Sequence, residues 1–482
     1  MTFKTLDIVS GSYNDPVIDF SSQKTSNMYI IVEQQGKKQK RFTAMPGHAL
    51  WVDVVASLSQ PLRGMWQYKF DTAYIYCIIE QDLYRIDNVK AITKITTASI
   101  TSSSGVVQST ASDKEAIYID GSAGYTYNFG TGTFAQITAT DFPDNPVLVG
   151  YLDDRIYVLN SDTNTFVPSA LNDFRSWDSE NTLAAQFKPG KLIAGTVFHT
   201  DIYLFKTEGT EIWVPITTPS PVPIRRDNSR LYDFGCAAKN SIAQNENYLL
   251  WLASNANGVS SIMLVEQGSY PQRISTQSLD QVIQSYGDVS DAEAFVFEYN
   301  SHTFYQINFP VPDKSYIFDV TTKGWFDLEQ IDGTRHLANS HVYFANKHLV
   351  GLRNKAQIHE MSDTIYKYGD NTFNTKVRTK HIYQNGYQMQ FVNGLKIDIA
   401  SGNAPINGEG SDPYILCSFS HNGGRTFTSM QPRSAGKIGE YRLSASWFNL
   451  GSGRDFVLDI DIRDPYKRDI LGASMDMEVA DD

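Results

Sequence analysis

Short apolar runs separated by turn residues dominate the chain from about Tyr68 to Met361. The clearest are Tyr74–Ile79, Ile117–Ile119, Ile156–Leu159, Ile202–Phe205, Tyr248–Leu252, Thr303–Phe309, Tyr316–Val320 and Val342–Phe344. They are rich in Tyr, Ile, Val and Phe, side chains that suit a pleated, half-buried surface. Between them stand Asp120-Gly121-Ser122, Glu208-Gly209, Asn255-Ala256-Asn257-Gly258 and Thr321-Thr322-Lys323-Gly324, where Gly and Asn accept positive φ. Turn centres at Gln81, Ser122, Asp162, Glu208 and Asn257 lie 41, 40, 46 and 49 residues apart; Lys323 follows after 66 and Asn354 after 31. A period of this size made of short strands predicts β-propeller blades of four strands each, six or seven of them, with seven preferred.

A finer pattern recurs. Tyr125-Thr126-Tyr127-Asn128, Tyr157-Val158-Leu159-Asn160 and Tyr316-Ile317-Phe318-Asp319 are each followed six residues later by an aromatic: Phe134, Phe166 and Trp325. The spacing predicts hairpins whose Asx side chain satisfies turn backbone groups while the aromatic packs between blades. The second copy comes only 32 residues after the first, so it belongs to a different strand pair or a different register. Ile95–Ser112, rich in Ser and Thr, predicts an edge strand plus a loop. Pro215–Pro223, with four prolines, predicts an extended connector. One helix is expected, with Leu279, Val282, Ile283 and Tyr286 on one face, Ser275 or Thr276 as cap and Gly287 at its end.

The pattern changes after Ser362. Residues 1–47 are expected to contribute to the propeller or to docking, 48–362 to form the propeller, 363–376 to act as a hinge, and 377–482 to form a C-terminal β-sandwich-like domain. The sandwich strands are read at Phe391–Ile399, Tyr414–Phe419, Tyr441–Ala445 and Phe456–Ile462, with the acidic tail Asp476–Asp482 fraying. The fold class is thus all-β.

Composition agrees. Aromatic residues make up 12%, with 27 Tyr and 26 Phe, and a 41% hydrophobic fraction argues against disorder. The net charge of −12 argues against gripping nucleic acid over the whole surface, though an acidic surface suits a passage through which DNA slides. Cys77, Cys236 and Cys417 are too sparse for a zinc knuckle or a disulfide scaffold and read as buried thiols. No secretory signal is visible at Met1–Pro16 and no apolar run is long enough to span a membrane as a helix.

Reaction chemistry finds little support. His336, His341, His348 and His359 fall at odd spacings, which on strands alternate faces, so no converging pair and no metal site is expected. Asp153-Asp154 and Asp173 with Asp178 lie in turn-like sequence rather than as a glycosidase pair. No GxSxG, phosphate-cradling loop or HExxH is present. The expectation is therefore no catalytic residue, no cofactor and no metal. Two basic clusters stand out: Lys37-Lys38-Gln39-Lys40-Arg41, read as a solvated hairpin turn, and Arg225, Arg226 and Arg230, the candidate interaction loop. Ser420-His421-Asn422-Gly423-Gly424-Arg425-Thr426-Phe427 fits the Asp-box pattern, a structural turn carried by Ser420, Asn422, Gly424 and Phe427.

Four stretches together resemble a known family. They are Gly11 through Asn27-Met28-Tyr29 to Pro46-Gly47; Leu192–Gly195 leading to Asp201–Phe205 and Glu211-Ile212-Trp213; Leu279–Tyr286 followed by Ala294–Phe297 and Ser301-His302 up to Phe309-Pro310; and Tyr414–Phe427. In this order they resemble the packaged-DNA stabilisation, or tail hub (nozzle), proteins of short-tailed, podovirus-like bacteriophages. The resemblance implies a structural virion protein of the phage tail, made in the host cytoplasm. Such hubs form a ring, usually a homo-hexamer, below the portal and adaptor proteins. They extend the DNA channel, retain the packaged genome, and bind a tail needle or plug and tailspikes or fibres. Basic residues near the C-terminus of some relatives are replaced here by the acidic tail. Two rival readings are a propeller glycosidase acting on surface polysaccharide and a carbohydrate-binding adhesin.

Overall fold

The computed structural model describes residues 3–15, 17–33, 39–56, 58–217, 220–258, 260–384 and 387–480. Among them the backbone repeats an antiparallel four-strand meander. The first group joins Leu62–Tyr68, Asp71–Ile79, Asp82–Asp87 and Ile92–Lys94. Five more follow, opening at Gln108, Pro146, Ala194, Ala243 and Glu293. A seventh group pairs Ala338–Phe344, Lys347–Leu352 and Gln357–Ser362 with a strand from the other end of the chain, Gly47–Asp53. The result is an all-β, propeller-like architecture closed by non-local pairing.

The first strands of successive groups lie side by side around an axis, and Ala338–Phe344 returns beside Leu62–Tyr68. Asn339 Nδ2 seals that return by donating to the Leu62 carbonyl at 2.7 Å. Close approach here depends on glycine. A Cβ on Gly195 would sit 2.8 Å from Val149 Cγ2, and one on Gly150 2.8 Å from Val197 Cγ2, so neighbouring first strands interlock glycine against valine.

The second strands begin at Asp71, Glu115, Arg155, Asp201, Tyr248, His302 and Lys347. That register explains the uneven turn spacing. Gln81, Ser122, Asp162, Glu208 and Asn257 all join second to third strands, whereas Lys323 joins the third and fourth strands of group six. The equivalent turn there is Pro310–Asp313, and Asn354 restores the phase. Likewise the Asn128 and Asp319 hairpins join third to fourth strands and the Asn160 hairpin second to third. The Asx role is visible in each: Asn128 Oδ1 accepts from the Gly130 and Thr131 amides (3.0 and 2.9 Å), Asp319 Oδ1 from Thr321 (3.0 Å) and Asn160 Oδ1 from Asp162 (3.2 Å).

The helix spans Gln277–Ser285, capped by Thr276 Oγ1 accepting from Leu279 N at 3.2 Å, with Gly287 at φ +76° beyond it. It is inserted between groups five and six and packs Leu279 and Ile283 into their shared core. The Ser/Thr-rich stretch is a loop followed by an edge strand, Gln108–Ala111, which is the first strand of group two. Pro215 ends a strand that pairs with Ile224–Tyr232, and Ile216 N donates to Pro223 O at 2.8 Å, so the ends of the proline stretch are joined by ladder bonds; Pro219 lies outside the described residues.

Two further sheets share one core. One runs Met28–Val32, Lys40–Ala44, Asp469–Val479, Gln390–Ile399, Ser444–Gly453, with Lys4–Leu6 on Asp469–Val479. The other continues outward from Gly324–Leu328 of group six through Ser22–Ser26, Thr375–Arg378, Val457–Ile462, Tyr414–Ser420 and Gln431–Ser434. Met28, Phe42, Leu395, Phe419, Trp447, Ile460 and Met475 fill the space between them. The N-terminal strands thus pair with the C-terminal ones. The acidic tail differs from expectation: Asp476 and Glu478 lie in Asp469–Val479, whose Ile470, Ala473 and Met475 are buried, while 481–482 lie outside the described residues. Of the first basic run, Lys37 and Lys38 lie outside them too, and Arg41 on Lys40–Ala44 pairs with buried Asp469 at 2.9 Å.

Candidate functional site

Two places gather polar side chains from distant parts of the chain. The first is the axis. A cavity of about 650 Å³ is lined by first-strand residues of all seven groups, among them Arg63, Gln108, Leu148, Thr196, Gln244, Ala294 and Asn339. Side chains bridge neighbouring strands across it: Gln108 Oε1 accepts from Leu148 N at 2.9 Å, and Gln244 Nε2 donates to Val197 O at 3.0 Å. Arg63 donates to the carbonyls of Glu80, Ser102, Ser104 and Gly105 at 2.6–2.7 Å and so holds the 102–105 loop at the rim. Burial lowers its pKa, and carbonyl dipoles replace its water.

The second place is the junction between the ring of strands and the paired sheets. His48, Tyr368, Phe373 and Arg468 form one stack. His48 and Tyr368 rings are 5.2 Å apart at 15°, Tyr368 and Phe373 are 4.1 Å apart at 10°, and the Arg468 guanidinium lies 4.6 Å from the Phe373 centroid. Arg468 is 1% exposed and donates to the carbonyls of Phe373 (2.8 Å) and Asp464 (2.9 Å). Burial lowers its pKa to about 10, and the ring face and the carbonyls compensate that burial.

Asn27 ties the same junction. It is fully buried at φ +57°, a conformation Asn tolerates better than other residues with a side chain. Its Nδ2 donates to Glu329 O and Asn374 O, both at 2.8 Å, and its Oδ1 accepts from Glu329 N at 3.1 Å and Tyr368 Oη at 3.3 Å. Gly47 completes the arrangement, since a Cβ there would lie 2.2 Å from the Ile365 carbonyl oxygen. The Asn27…Pro46-Gly47 layout therefore marks where the N-terminal segment passes from the paired sheets into the closing strand.

The histidines correct the sequence reading. His359 meets His48, their Nδ1 atoms 3.0 Å apart, and His336 packs edge-on to His48 at 5.4 Å between centroids. His341 Nε2 lies 3.1 Å from His348 Nδ1. Spacing along one strand is irrelevant here, because antiparallel neighbours bring the residues together and His48 arrives on the closing strand from the N-terminal part of the chain. Burial pushes His336 and His341 down to about 3 and His359 to about 4, and His48 well below its ordinary value. Among the described residues no group of three or more His, Cys, Asp or Glu could hold a metal ion.

The carboxylates do not pair: Asp153 and Asp154 form a turn with positive φ, Asp173 opens the strand Asp173–Trp177 with its Oδ1 accepting from Arg175 N, and Asp178 caps the short helix Ser179–Asn181 by accepting from Glu180 N. Arg225, Arg226 and Arg230 lie on the outer strand Ile224–Tyr232 of group four rather than in a loop. Arg230 pairs with Asp201 (2.5 Å) and Asp227 (2.7 Å), and Arg226 Nε donates to Asn228 Oδ1 (2.9 Å). Arg225 is exposed. Hydrogen bonds from Ser229 and Arg230 lower Asp227 to about 2. At the Asp-box, Gly424 N donates to Ser420 Oγ (2.9 Å) and Thr426 N to Asn422 Oδ1 (3.0 Å); Gly424 has φ +83° and Phe427 lies beneath the Arg378 guanidinium. Sequence reasoning missed Arg468 and the roles of His48 and Asn27. Arg468 follows Asp464-Pro465-Tyr466-Lys467 and Asn27 follows Lys24-Thr25-Ser26, so no local pattern marks either as buried.

No helix among the described residues is long and apolar enough to cross a membrane. No curated protein matches the chain. Among solved structures it is similar to a streptogramin B lyase (7% identity, TM-score 0.44, covering 64% of this chain and 96% of that one). It is also similar to virginiamycin B lyase from Staphylococcus aureus (8%, 0.44, 64% and 97%) and the Pan2 WD40 domain of Neurospora crassa (8%, 0.41, 66% and 94%). The family described as bacteriophage P22 Gp10, β-propeller, matches residues 4–366, most of the length of the chain, which therefore belongs to this family of structural phage-tail proteins and is a component of the virion.

Proposed function

We propose that the protein is the tail hub, or nozzle: a homo-hexameric ring below the portal and adaptor that extends the DNA channel, retains the packaged genome and anchors a tail needle or plug and tailspikes or fibres. The family match over residues 4–366 carries this reading. In it, the seven strand groups are the seven blades of one propeller, residues 48–362, and 377–482 form a β-sandwich-like domain. Residues 1–47 lend strands to both, and 363–376 is the link between them. The junction stack supports a stiff two-part block, as a load-carrying connector requires. The axial cavity within one chain has the volume of only about 20 waters, so the DNA path in this reading lies between copies. A net charge of −12 suits a path that does not hold DNA by its phosphates. Arg225 is the proposed partner contact on its strand, Arg226 and Arg230 being engaged within the chain, and Ser420, Asn422, Gly424 and Phe427 are a structural turn. Phage assembled without this protein should fill their heads and then lose the DNA. Heads that keep their genomes would remove the reading.

A further inference from the structure

A second cavity, about 850 Å³, opens between groups six and seven and is lined by Phe297, Glu298, Tyr299, His341, Tyr343 and His348. His341 lines the axial cavity as well, so its ring stands where the two spaces adjoin. His341 lies on Ala338–Phe344 and His348 on the paired strand Lys347–Leu352. The register sets Tyr343 opposite His348 and Val350 opposite His341, which makes the two histidines diagonal neighbours on one face. His341 Nε2 and His348 Nδ1 are 3.1 Å apart. Aromatic rings fix both imidazoles: Phe297 is 5.2 Å from His341 between centroids, and Tyr299 and Tyr343 are each 4.9 Å from His348.

Two imidazoles from different strands thus aim a nitrogen each at one point. A metal ion bonded to two imidazole nitrogens at about 2.05 Å sets them about 2.9 Å apart at a right angle and about 3.3 Å apart at a tetrahedral one. The observed 3.1 Å falls between these values. Burial also lowers both histidines, His341 to about 3, so both rings are neutral at pH 7 and carry a lone pair for a ligand bond. Among the described residues no charged side chain bonds to either ring. Glu298 is engaged elsewhere, its Oε1 accepting from Asn245 Nδ2 at 2.9 Å. Imidazole without carboxylate suits copper, nickel or zinc rather than magnesium or calcium, and copper(II) most of all. Two ligands make an open chelate, unlike the closed site of three or more that is absent among the described residues; water from the cavity fills the other positions. The 3.1 Å contact holds one ring proton. When a metal ion replaces it, that proton moves to the other nitrogen of the same ring, and both rings stay neutral.

We propose that His341 Nε2 and His348 Nδ1 chelate one divalent transition-metal ion of the imidazole-preferring class, copper(II) most tightly, at the mouth of this cavity. Calorimetric titration of the EDTA-treated full chain with copper(II), zinc and magnesium tests it. One saturable copper site per chain is expected, with zinc weaker and magnesium not bound. His341→Gln and His348→Gln, checked for folding by circular dichroism, should each weaken copper binding at least tenfold. His199→Gln, which alters an exposed histidine in a turn of group four, should leave it unchanged. If neither cavity variant folds, electron paramagnetic resonance of the copper-loaded wild-type chain carries the test, and coupling to two imidazole nitrogens is expected. No saturable copper site, magnesium bound as tightly, less than tenfold loss in a folded cavity variant, loss in His199→Gln, or a copper spectrum with fewer than two imidazole nitrogens would overturn the proposal.

Discussion

Replacing Asn27 by alanine tests the junction at the residue on which most of it converges. The side chain makes two donated and two accepted hydrogen bonds, to Glu329, Asn374 and Tyr368, and is 0% exposed. Truncation strands two carbonyls, an amide and a phenol in the interior. Each buried group without a partner costs about 1–3 kcal/mol; water entering the space left by the side chain favours the lower end, about 4 kcal/mol for the four. Alanine at φ +57° adds about 1–2 kcal/mol that asparagine largely avoids. The expected loss is about 5 kcal/mol, among the largest a single substitution produces. Urea unfolding followed by tryptophan fluorescence measures it. Asn27→Gly loses the same bonds without the backbone strain and should be the milder of the two. A loss below about 1 kcal/mol for Asn27→Ala would refute the role assigned to this residue.

Other outcomes follow from the same geometry. His336 and His359 sit at about 3 and about 4 in the folded chain, below the ordinary 6.5 of the unfolded one, so the unfolded chain binds more protons between those values. Stability should be flat above about pH 7 and fall as pH drops from about 6.5 toward 3, by about 3 kcal/mol for His336 alone on reaching pH 4; a flat acid limb in pH-dependent urea midpoints would count against the buried cluster. Gly47→Ala should leave little folded protein by circular dichroism, because its Cβ meets the Ile365 carbonyl at 2.2 Å; a wild-type melting curve would contradict that packing. Arg230→Ala should cost about 1 kcal/mol through its pairs with Asp201 and Asp227, while Arg225→Ala should stay within about 0.5 kcal/mol; the reverse order in thermal melts would undo the assignment. Cys77, Cys236 and Cys417 are buried, with the first two thiols pushed up to about 12, so none should react with a thiol reagent before unfolding.

What the sequence disclosed follows from which forces are local. Strand identity, the Asx hairpins and the capped helix depend on neighbours a few residues away, and Tyr74–Ile79, Asn128 and Thr276 all carry that information. The phase of the repeat was obscured at Lys323, because two kinds of hairpin share the same turn chemistry and the inserted helix stretches one period. The closing strand Gly47–Asp53 pairs with Gln357–Ser362 across the whole molecule, and no local pattern specifies such a partner. Asp469–Val479 hid behind its acidic residues, although Ile470, Ala473 and Met475 face the core. The histidine pairs were invisible for the same reason as the closing strand: strand pairing, not spacing, sets which side chains meet.

The hub proposed above is a ring-forming connector of the phage tail. Electron microscopy of the purified protein mixed with its portal–adaptor complex tests it most directly. A six-fold ring docked beneath the adaptor, with a lumen bounded by neighbouring copies, is the expected result. Particles that remain single and leave the adaptor bare would contradict it.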